Sequence, residues 1–294
     1  MERKTHNKGD LHPRNRHSNG YDFDALIAAH APLKEHVAPN KYGNLSINFF
    51  DPQAVRALNT ALLKSYYNIE WWEIPPLALI PPIPGRADYI HYAAELLEGG
   101  ENGTVRCLDV GVGATCIYPI IGRKEYGWEF VGCDIDPRSI ESSRRIIEAN
   151  TPLKGHIELR LQTNASDIFE GIIKDGDRFD ITICNPPFHD SAHSAAKASQ
   201  RKLKGLKATR KGVLNFEGQS GELWCQGGER AFIERMIDQS RTFKSQCRWF
   251  TTLVSNEDNL APLRRALKMV KVKEHRTIDM HQGNKRSRIL AWRY

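Results

Sequence analysis

The segment Ile183-Cys184-Asn185-Pro186-Pro187-Phe188-His189 ends an apolar run in an amide, two prolines and an aromatic ring. Proline cannot donate to a sheet ladder, so a strand reaching Asn185 has to stop there. The rings of Pro186 and Pro187 fix φ and remove two N–H donors. The Asn185 side-chain oxygen and the Pro186 carbonyl are then free to accept hydrogen bonds from an outside donor. Two acceptors can hold an exocyclic NH2 group by its hydrogens, and Phe188 can stack on the flat ring that carries it. Held this way, the amine is set for attack on an electrophile, and positioning alone removes part of the barrier. The bland alternative is a loop that contains two prolines.

A second group lies upstream. "LDVGVGA" places Asp109, Gly111 and Gly113 where a strand turns into a helix. Glycines there let backbone approach a ligand closely, and ligands of such sheets sit at the carboxyl ends of the strands. The dinucleotide pattern Gly-x-Gly-x-x-Gly is not met, because Cys116 stands at its third place. No Gly-Lys-Ser/Thr loop exists, which argues against an ATPase. The next strand ends at Asp134, whose carboxylate can accept from both hydroxyls of a ribose. Asp136 is the rival acid, but before Pro137 it reads as a helix cap. A glycine turn with an acid at the second strand end fits NAD and S-adenosylmethionine equally. The Asn-Pro-Pro-Phe corner tips the balance toward methylation of an amine. An NAD-linked oxidoreductase lacks the third glycine and offers no hydride-site partner.

Both groups need a scaffold of alternating strands and helices. Strands are expected over 105–112, 129–136, 156–162, 179–185 and 247–255, and helices over 137–150, 227–243 and 259–270. "VKEHRTIDM" and "SRILAWRY" have no helix between them and predict an antiparallel hairpin at one edge. The expected fold is α/β: a doubly wound, mainly parallel, seven-stranded sheet with an antiparallel C-terminal hairpin. Residues 1–100 differ, being rich in Pro, His and aromatics, with one clear helix over 51–67 that Asp51 caps and Pro52 opens. They are expected to form a basic, partly helical N-terminal extension packed on the sheet. Residues 101–294 form the second unit, with an inserted basic loop at about 189–226 that is too long for an ordinary connection.

Bulk properties narrow the partners. The net charge is +7, and the cations are unevenly placed. Arg3, Lys4, Lys8, Arg14 and Arg16 crowd the start, and Lys197, Arg201, Lys202, Lys204, Lys207, Arg210 and Lys211 form a second cluster. Such clusters suit a polyanion, although each is also read as a solvated tail or loop. The six cysteines are scattered without a Cys-x-x-Cys pair, as expected of small buried residues in a reduced, cytoplasmic protein. No apolar run is long enough for a membrane span, and the polar N-terminus has no secretory core. His6, His12 and His17 have no metal-ligand companions at sensible spacing, so no metal is expected.

The string from Asp109 to Gly122, "DVGVGATCIYPIIG", with "NPPF", resembles the class I S-adenosylmethionine-dependent methyltransferases that modify adenine at its exocyclic amine. Adding "DPQAVRALNTALL", "IPGRADYIHYAAELL", "CNPPFH", "QGGERAFIERMI", "LAPLRRAL" and "LAWRY", the chain resembles the ribosomal RNA large subunit methyltransferase F family from about residue 10 to 294. Eukaryotic relatives of that family modify small nuclear and messenger RNA. The resemblance implies that S-adenosylmethionine is the cofactor. Arg86 would reach its methionine carboxylate, and Asp109, Gly111 and Gly113 would line its site. Asp134 would hold the ribose, Asn164 would sit near the adenine ring, and Asn185 would face the methyl donor. Asn185, Pro186, Pro187 and Phe188 would hold the target adenine. RNA contacts are expected from Arg14, Arg16 and the 197–211 cluster. The implied substrate is large-subunit ribosomal RNA or its assembly intermediate, methylated at N6 by direct in-line transfer. A chain ending at Tyr294 favours this bacterial ribosomal role. No membrane partner and a monomeric state are expected. The rivals are the same chemistry on another RNA, on DNA or on a protein glutamine, and a non-catalytic RNA-binding protein.

Overall fold

A computed structural model describes residues 11–76, 78–97, 103–187, 225–282 and 285–294. The sheet is built first by short apolar strands. Strands β3 (Arg106–Val110), β4 (Glu129–Asp134), β5 (Ile157–Leu161), β6 (Phe179–Cys184) and β7 (Cys247–Val254) run parallel, and β8 (Glu274–Gln282) and β9 (Lys285–Arg293) close one edge antiparallel. Their spatial order is β5-β4-β3-β6-β7-β9-β8. The order reverses at β3 and β6, so these strands flank the switch point where ligands of doubly wound sheets bind.

Side chains alternate across the sheet and supply two cores. On one face, Cys107, Phe130, Ile183 and Trp249 join α2 (Pro52–Tyr67), α3 (Ile83–Leu97), α4 (Ile117–Tyr126) and α5 (Pro137–Ala149). On the other, Leu108, Val131, Phe250 and Trp292 meet α6 (Gly228–Ser240) and α7 (Leu260–Met269). The seven-stranded sheet, its closing hairpin and the caps Asp51 and Asp136 agree with the sequence reading: Asp51 accepts from the Gln53 N–H and Asp136 from the Arg138 N–H.

The region before residue 100 holds more structure than expected. A short helix, α1 (Phe23–Ala29), and a two-stranded hairpin, β1 (Val37–Pro39) with β2 (Leu45–Ile47), precede α2. Helix α3 was not legible because it is buried nearly all round: Ile83, Tyr89, Ile90, Ala93 and also Arg86, Asp88 and His91 are covered. A helix wrapped on every side carries no polar stripe to reveal its period. Its residues share one continuous core with the sheet, so no break in packing separates residues 11–97 from the strands. Between β5 and β6 the chain makes turns instead of a regular helix, and Ile168, Phe169, Ile172 and Ile173 from this stretch complete the second core.

All six cysteines are free, and all but Cys225 are buried. Among the described residues no helix is long and apolar enough to cross a membrane. The expected loop at 189–226 lies outside the described residues except for Cys225 and Gln226.

Candidate active site

The glycine turn is shaped by its own backbone and held by distant side chains. Gly111 and Gly113 have φ of +81° and +65°, a region that costs most residues energy and glycine nothing. The Gly111 and Val112 amides both donate to the Cys133 carbonyl at 2.9 Å, which joins the turn to the end of β4. Ser143 Oγ donates to the Gly113 carbonyl at 2.7 Å, Ser142 Oγ to Ala114 at 2.8 Å, and Trp72 Nε1 to Thr115 at 3.0 Å. Cys116, at the place of the missing third glycine, also takes positive φ, +52°, and is wholly buried. The turn thus demands a left-handed residue there and accepts a small thiol in place of glycine.

Asp134 is aimed by the same turn. Its Oδ2 accepts from the Gly113 N–H and its Oδ1 from the Asp136 N–H, both at 2.9 Å. Burial raises its pKa, against the pull of these two amides. Each oxygen keeps a further lone pair for a ligand hydroxyl. Asp109 lies deeper and is wholly buried, and neither of its oxygens has a hydrogen-bond partner among the described residues. Burial, and then the nearby Asp134 charge, push its carboxyl well above the usual range, with Arg86 pulling the other way. That environment favours the neutral acid.

Arg86 projects from the first turns of α3. Its Nη1 donates to the Tyr118 hydroxyl at 2.7 Å, and its guanidinium lies 5.3 Å from that ring's centre. Its Nε is buried without a partner among the described residues. Asn185 follows the end of β6 and lines the same cavity. Asn185 is half-buried, yet its Oδ1 is out of reach of solvent and has no partner among the described residues.

These groups surround one cavity of about 480 Å³, within the range that holds a cofactor-sized ligand. Arg86, Gly111, Gly113, Asp134, Asn185 and Pro187 line it. Asp109 and Pro186 stand behind its wall. Asn164 does not line it: its amide is turned to Asp167 at 2.6 Å and its Oδ1 accepts from the Ser166 N–H. Its neighbours Gln162 and Ala165 to Ile168 take the wall instead. Phe188 and the cationic residues from Lys197 to Lys211 lie outside the described residues.

Arg14 and Arg16 have partners inside the fold. Arg14 donates to the His91 carbonyl and faces Glu95 at 3.7 Å, and Arg16 pairs with Glu125 at 2.7 Å. They strap residues 11–20 across α3 and α4, with His17 Nε2 at 2.8 Å from the Tyr67 hydroxyl. Charge pattern alone does not disclose this anchoring role. About 40% of each arginine side chain remains exposed.

Two supporting networks also escaped the sequence reading. Thr251 Oγ1 donates to the Thr182 carbonyl at 2.6 Å, so the Tyr89 hydroxyl, 2.7 Å away, must donate to Thr251. That hydroxyl in turn accepts from the Cys184 N–H at 3.2 Å. Cys184 lies beyond the last β6–β7 rung, Thr182 with Phe250, so Tyr89 satisfies an amide the sheet leaves over. On α6, the Glu229 carboxylate accepts from the Ser255 and Asn256 amides and from the Asn259 side chain, fixing the turn after β7. Tyr89 follows Arg86 by three residues on one helix, which is the signal that could have found it.

A profile of a family described as RNA methyltransferase matches residues 5–294. The chain belongs to this RNA methyltransferase family. The methyltransferase is 53% identical to the ribosomal RNA large subunit methyltransferase F of Vibrio campbellii, over 98% of its own length and 80% of the relative's. It is 52% identical to the protein of the same name from Bacteroides fragilis, over 98% and 99% of the two chains. Among solved structures, the hMettl16 catalytic domain in complex with MAT2A 3'UTR hairpin 1 matches with a TM-score of 0.81 at 30% identity, covering 97% of this chain and 95% of that one. The N-terminal domain of human METTL16 in complex with SAH matches with a TM-score of 0.77 at 28% identity, over 97% and 98%. The sheet order and closing hairpin are those of a class I methyltransferase fold.

Proposed function

We propose that this enzyme uses S-adenosylmethionine to methylate the exocyclic N6 amine of an adenine in large-subunit ribosomal RNA, and that Asn185, Pro186, Pro187 and Phe188 present that amine. The observation that carries the reading is Asn185, which lines the cavity and whose Oδ1 is a buried acceptor without a partner among the described residues. Leaving such an atom unsatisfied costs about 1–3 kcal/mol, which an incoming N–H recovers. Arg86, which also lines the cavity, has a buried Nε without a partner among the described residues and can act as a donor.

The residues present fit the donor. Arg86 takes the methionine carboxylate, held in its rotamer by Tyr118. The Gly111–Gly113 backbone would line the cofactor, and the Asp134 carboxylate would accept from its ribose hydroxyls. When bound, S-adenosylmethionine supplies an electrophilic methyl group on a sulfonium centre. The chain does the positioning. Asn185 Oδ1 and the Pro186 carbonyl accept the two amine hydrogens and so turn the nitrogen toward the cofactor. The paired prolines stiffen that corner, and Phe188 stacks on the base. Both acceptors also favour the positive charge that builds on the nitrogen. A methylated aromatic amine is strongly acidic until it loses its extra proton, so water suffices as the base. Burial pushes the Cys184 thiol well above its usual range, which leaves no thiolate nucleophile beside Asn185.

RNA is supported by the family and by the cationic residues. The 197–211 cluster follows the corner directly in sequence, where it can contact phosphates beside a flipped base. The exposed parts of Arg14 and Arg16 can add to this. The substrate is large-subunit RNA in the relatives' names, and that specificity is part of the proposal.

The test uses purified enzyme, tritiated S-adenosylmethionine and RNA from a strain lacking the gene, either deproteinised or as ribosomal particles. N6-methyladenosine is the expected labelled nucleoside, in large-subunit RNA. The Asn185→Ala variant is expected to lose at least about a hundredfold in kcat while binding cofactor normally. Label in another nucleoside, or an active Asn185→Ala enzyme, overturns the assignment.

A further inference from the structure

Part of the cavity wall is made of chain that cannot hold itself in place. Residues 74–84 include Pro75, Pro76, Pro81, Pro82 and Pro84. Proline has no N–H, so this segment cannot enter a sheet ladder, and its carbonyls have to find donors elsewhere. One comes from its own backbone: the Ala78 N–H donates to the Pro75 carbonyl at 3.0 Å. Ile74, Ala78 and Ile80 are buried in the core shared with the sheet, while Leu79 and Pro81 line the cavity.

Further donors come from α2. Arg56 Nη1 donates to the Ile74 carbonyl at 3.3 Å, and its Nη2 to the Pro75 and Pro76 carbonyls at 3.2 and 2.8 Å. The buried Asn59 donates through Nδ2 to the Pro81 carbonyl at 2.9 Å. Residues three apart on a helix share a face, so both side chains reach the same segment and tie its two ends to one rigid element. A guanidinium presents its donors in a fixed planar fork, which suits three neighbouring carbonyls better than the single ammonium of lysine. Neither Arg56 nor Asn59 lines the cavity. The wall that they hold joins two parts that do. Before it, Trp72 donates to the carbonyl of Thr115, a lining residue at the glycine turn. After it, the Pro82 carbonyl accepts from the N–H of Arg86, another lining residue, at 3.2 Å.

We infer that Arg56 and Asn59 are positioning residues for S-adenosylmethionine: from outside the cavity they hold its proline-rich wall in the shape that receives the cofactor. This rests on the cofactor placement proposed above. Without its ties the wall samples other positions, and a ligand that needs one of them binds more weakly in proportion to the time that position is empty. Affinity therefore falls, while the enzyme that has bound its cofactor reacts as before.

The test compares the full-length enzyme with three variants. Arg56→Met keeps an unbranched apolar stem and removes the fork, Arg56→Lys keeps the charge, and Asn59→Ala removes the second tie. Affinity for S-adenosylhomocysteine is read by isothermal titration well below the melting temperature, and methylation with RNA or ribosomal particles from a strain lacking the gene. Arg56→Met and Asn59→Ala are expected to weaken binding and raise the KM for S-adenosylmethionine about tenfold or more, with Arg56→Lys between them and wild type. Turnover at saturating cofactor is expected to stay within about twofold of wild type. Amide exchange at Ala78, Leu79 and Ile80 is expected to quicken in the free variants and to return to the wild-type rate when S-adenosylhomocysteine is bound. A purely structural contact would shift the melting temperature without this dependence on cofactor. Affinity within about twofold of wild type in both Arg56→Met and Asn59→Ala overturns the inference, as does exchange that is unchanged in the free variants or that the bound cofactor does not restore. A fall in turnover as large as the fall in affinity also overturns it. If the wild-type enzyme binds no S-adenosylhomocysteine, the cofactor placement fails, and exchange in the free proteins still judges whether Arg56 and Asn59 hold the wall.

Discussion

Tyr89→Phe removes one oxygen and leaves the ring, and its consequences can be worked out from three hydrogen bonds. The Tyr89 hydroxyl accepts from the Cys184 N–H at 3.2 Å and donates to Thr251 Oγ1 at 2.7 Å, and it is wholly buried. Thr251 Oγ1 passes its own proton to the Thr182 carbonyl at 2.6 Å. In the variant, the Cys184 amide has no acceptor and no access to water. An unsatisfied buried donor costs about 1–3 kcal/mol, which corresponds to about 2–6 °C in Tm for a domain of this size. The orphaned amide is one residue from Asn185, so part of that energy should appear as a misplaced amine grip. We expect kcat to fall about five- to a hundredfold, as 1–3 kcal/mol on the transition state implies. Cofactor affinity and the KM for RNA should change less than threefold. Thr251→Ser keeps the relay hydroxyl and should behave as wild type, whereas Thr251→Val leaves the Cys184 amide its acceptor and should lower Tm with a smaller loss of kcat than Tyr89→Phe. Single-turnover methylation with a thermal melt separates the two effects. A variant with normal kcat, or one whose activity loss only follows its unfolded fraction, refutes the positioning role.

Replacing Asp134 by Asn turns an amide toward two backbone N–H donors, and isothermal titration should show at least a tenfold loss of S-adenosylmethionine affinity, about 1.4 kcal/mol. Asp109→Asn, by contrast, mimics the neutral acid that burial favours there, and activity within about fivefold of wild type is expected; an inactive, folded variant would show that the ionised form is needed. In Gly122→Ala the new Cβ would lie 2.4 Å from Phe130 Cζ in the core, so overpacking of about 1–3 kcal/mol should lower Tm without altering cofactor binding per folded molecule. Burial, then Arg16, lowers His17 to about 4, and burial, then His12 and Arg14, lowers His91 to about 3. Unfolded histidine titrates near 6.5, so the unfolded chain binds more protons below that pH. The stability these two groups confer is complete above about 6.5 and is lost toward about 4, by at most about 2.7 kcal/mol per pH unit when both titrate. Amide exchange in residues 11–21 should quicken over that window, and a flat response between pH 6.5 and 4 would contradict the burial of neutral imidazoles.

The parallel strands around the cavity were legible because residue types with a clear physical meaning follow three of them. Gly111 marks a positive-φ turn, Pro137 a helix start, and Pro186 a strand end. The cavity-lining residues Gly111, Gly113, Asp134 and Asn185 were legible for the same reason, whereas Arg86 came only from the resemblance. What escaped was set by partners far apart in sequence. Tyr89 and Thr251 are 162 residues apart, Glu229 and Ser255 are 26, and Trp72 reaches Thr115 across 43. No periodicity reports such pairings. Arg14 and Arg16 show the converse limit: as charges near the start of a basic chain they read as polyanion contacts, and only the fold reveals Glu95 and Glu125 beside them. Asn164 faces away from the cavity because the Asx turn it closes with Ser166 and Asp167 uses up its amide.

In the proposed reaction, the charges around the cavity suit the charge movement of methyl transfer. Positive charge leaves the donor's sulfur and builds on the accepting nitrogen. An anion beside the sulfur would stabilise the reactants more than the transition state and slow the reaction, since only interactions that strengthen along the path contribute to rate. Asp109 lies in β3 and Asp134 at the end of β4, while Asp136 and Asp167 line the cavity as Asp134 does. The fold buries Asp109 in a setting that favours the neutral form, and it commits Asp134 to the Gly113 and Asp136 amides. At the nitrogen it does the opposite. Asn185 Oδ1 is a desolvated acceptor, unpartnered among the described residues, whose attraction for an amine hydrogen grows as that amine becomes cationic. Tyr89 fixes the preceding Cys184 amide and the two prolines restrict the backbone after Asn185, so in the proposed reaction little reorganisation would remain at the moment of transfer. In the proposed reaction, burial that disfavours charge on Asp109 and the unpartnered acceptor of Asn185 act together, the first avoiding stabilisation of the reactants and the second favouring the transition state.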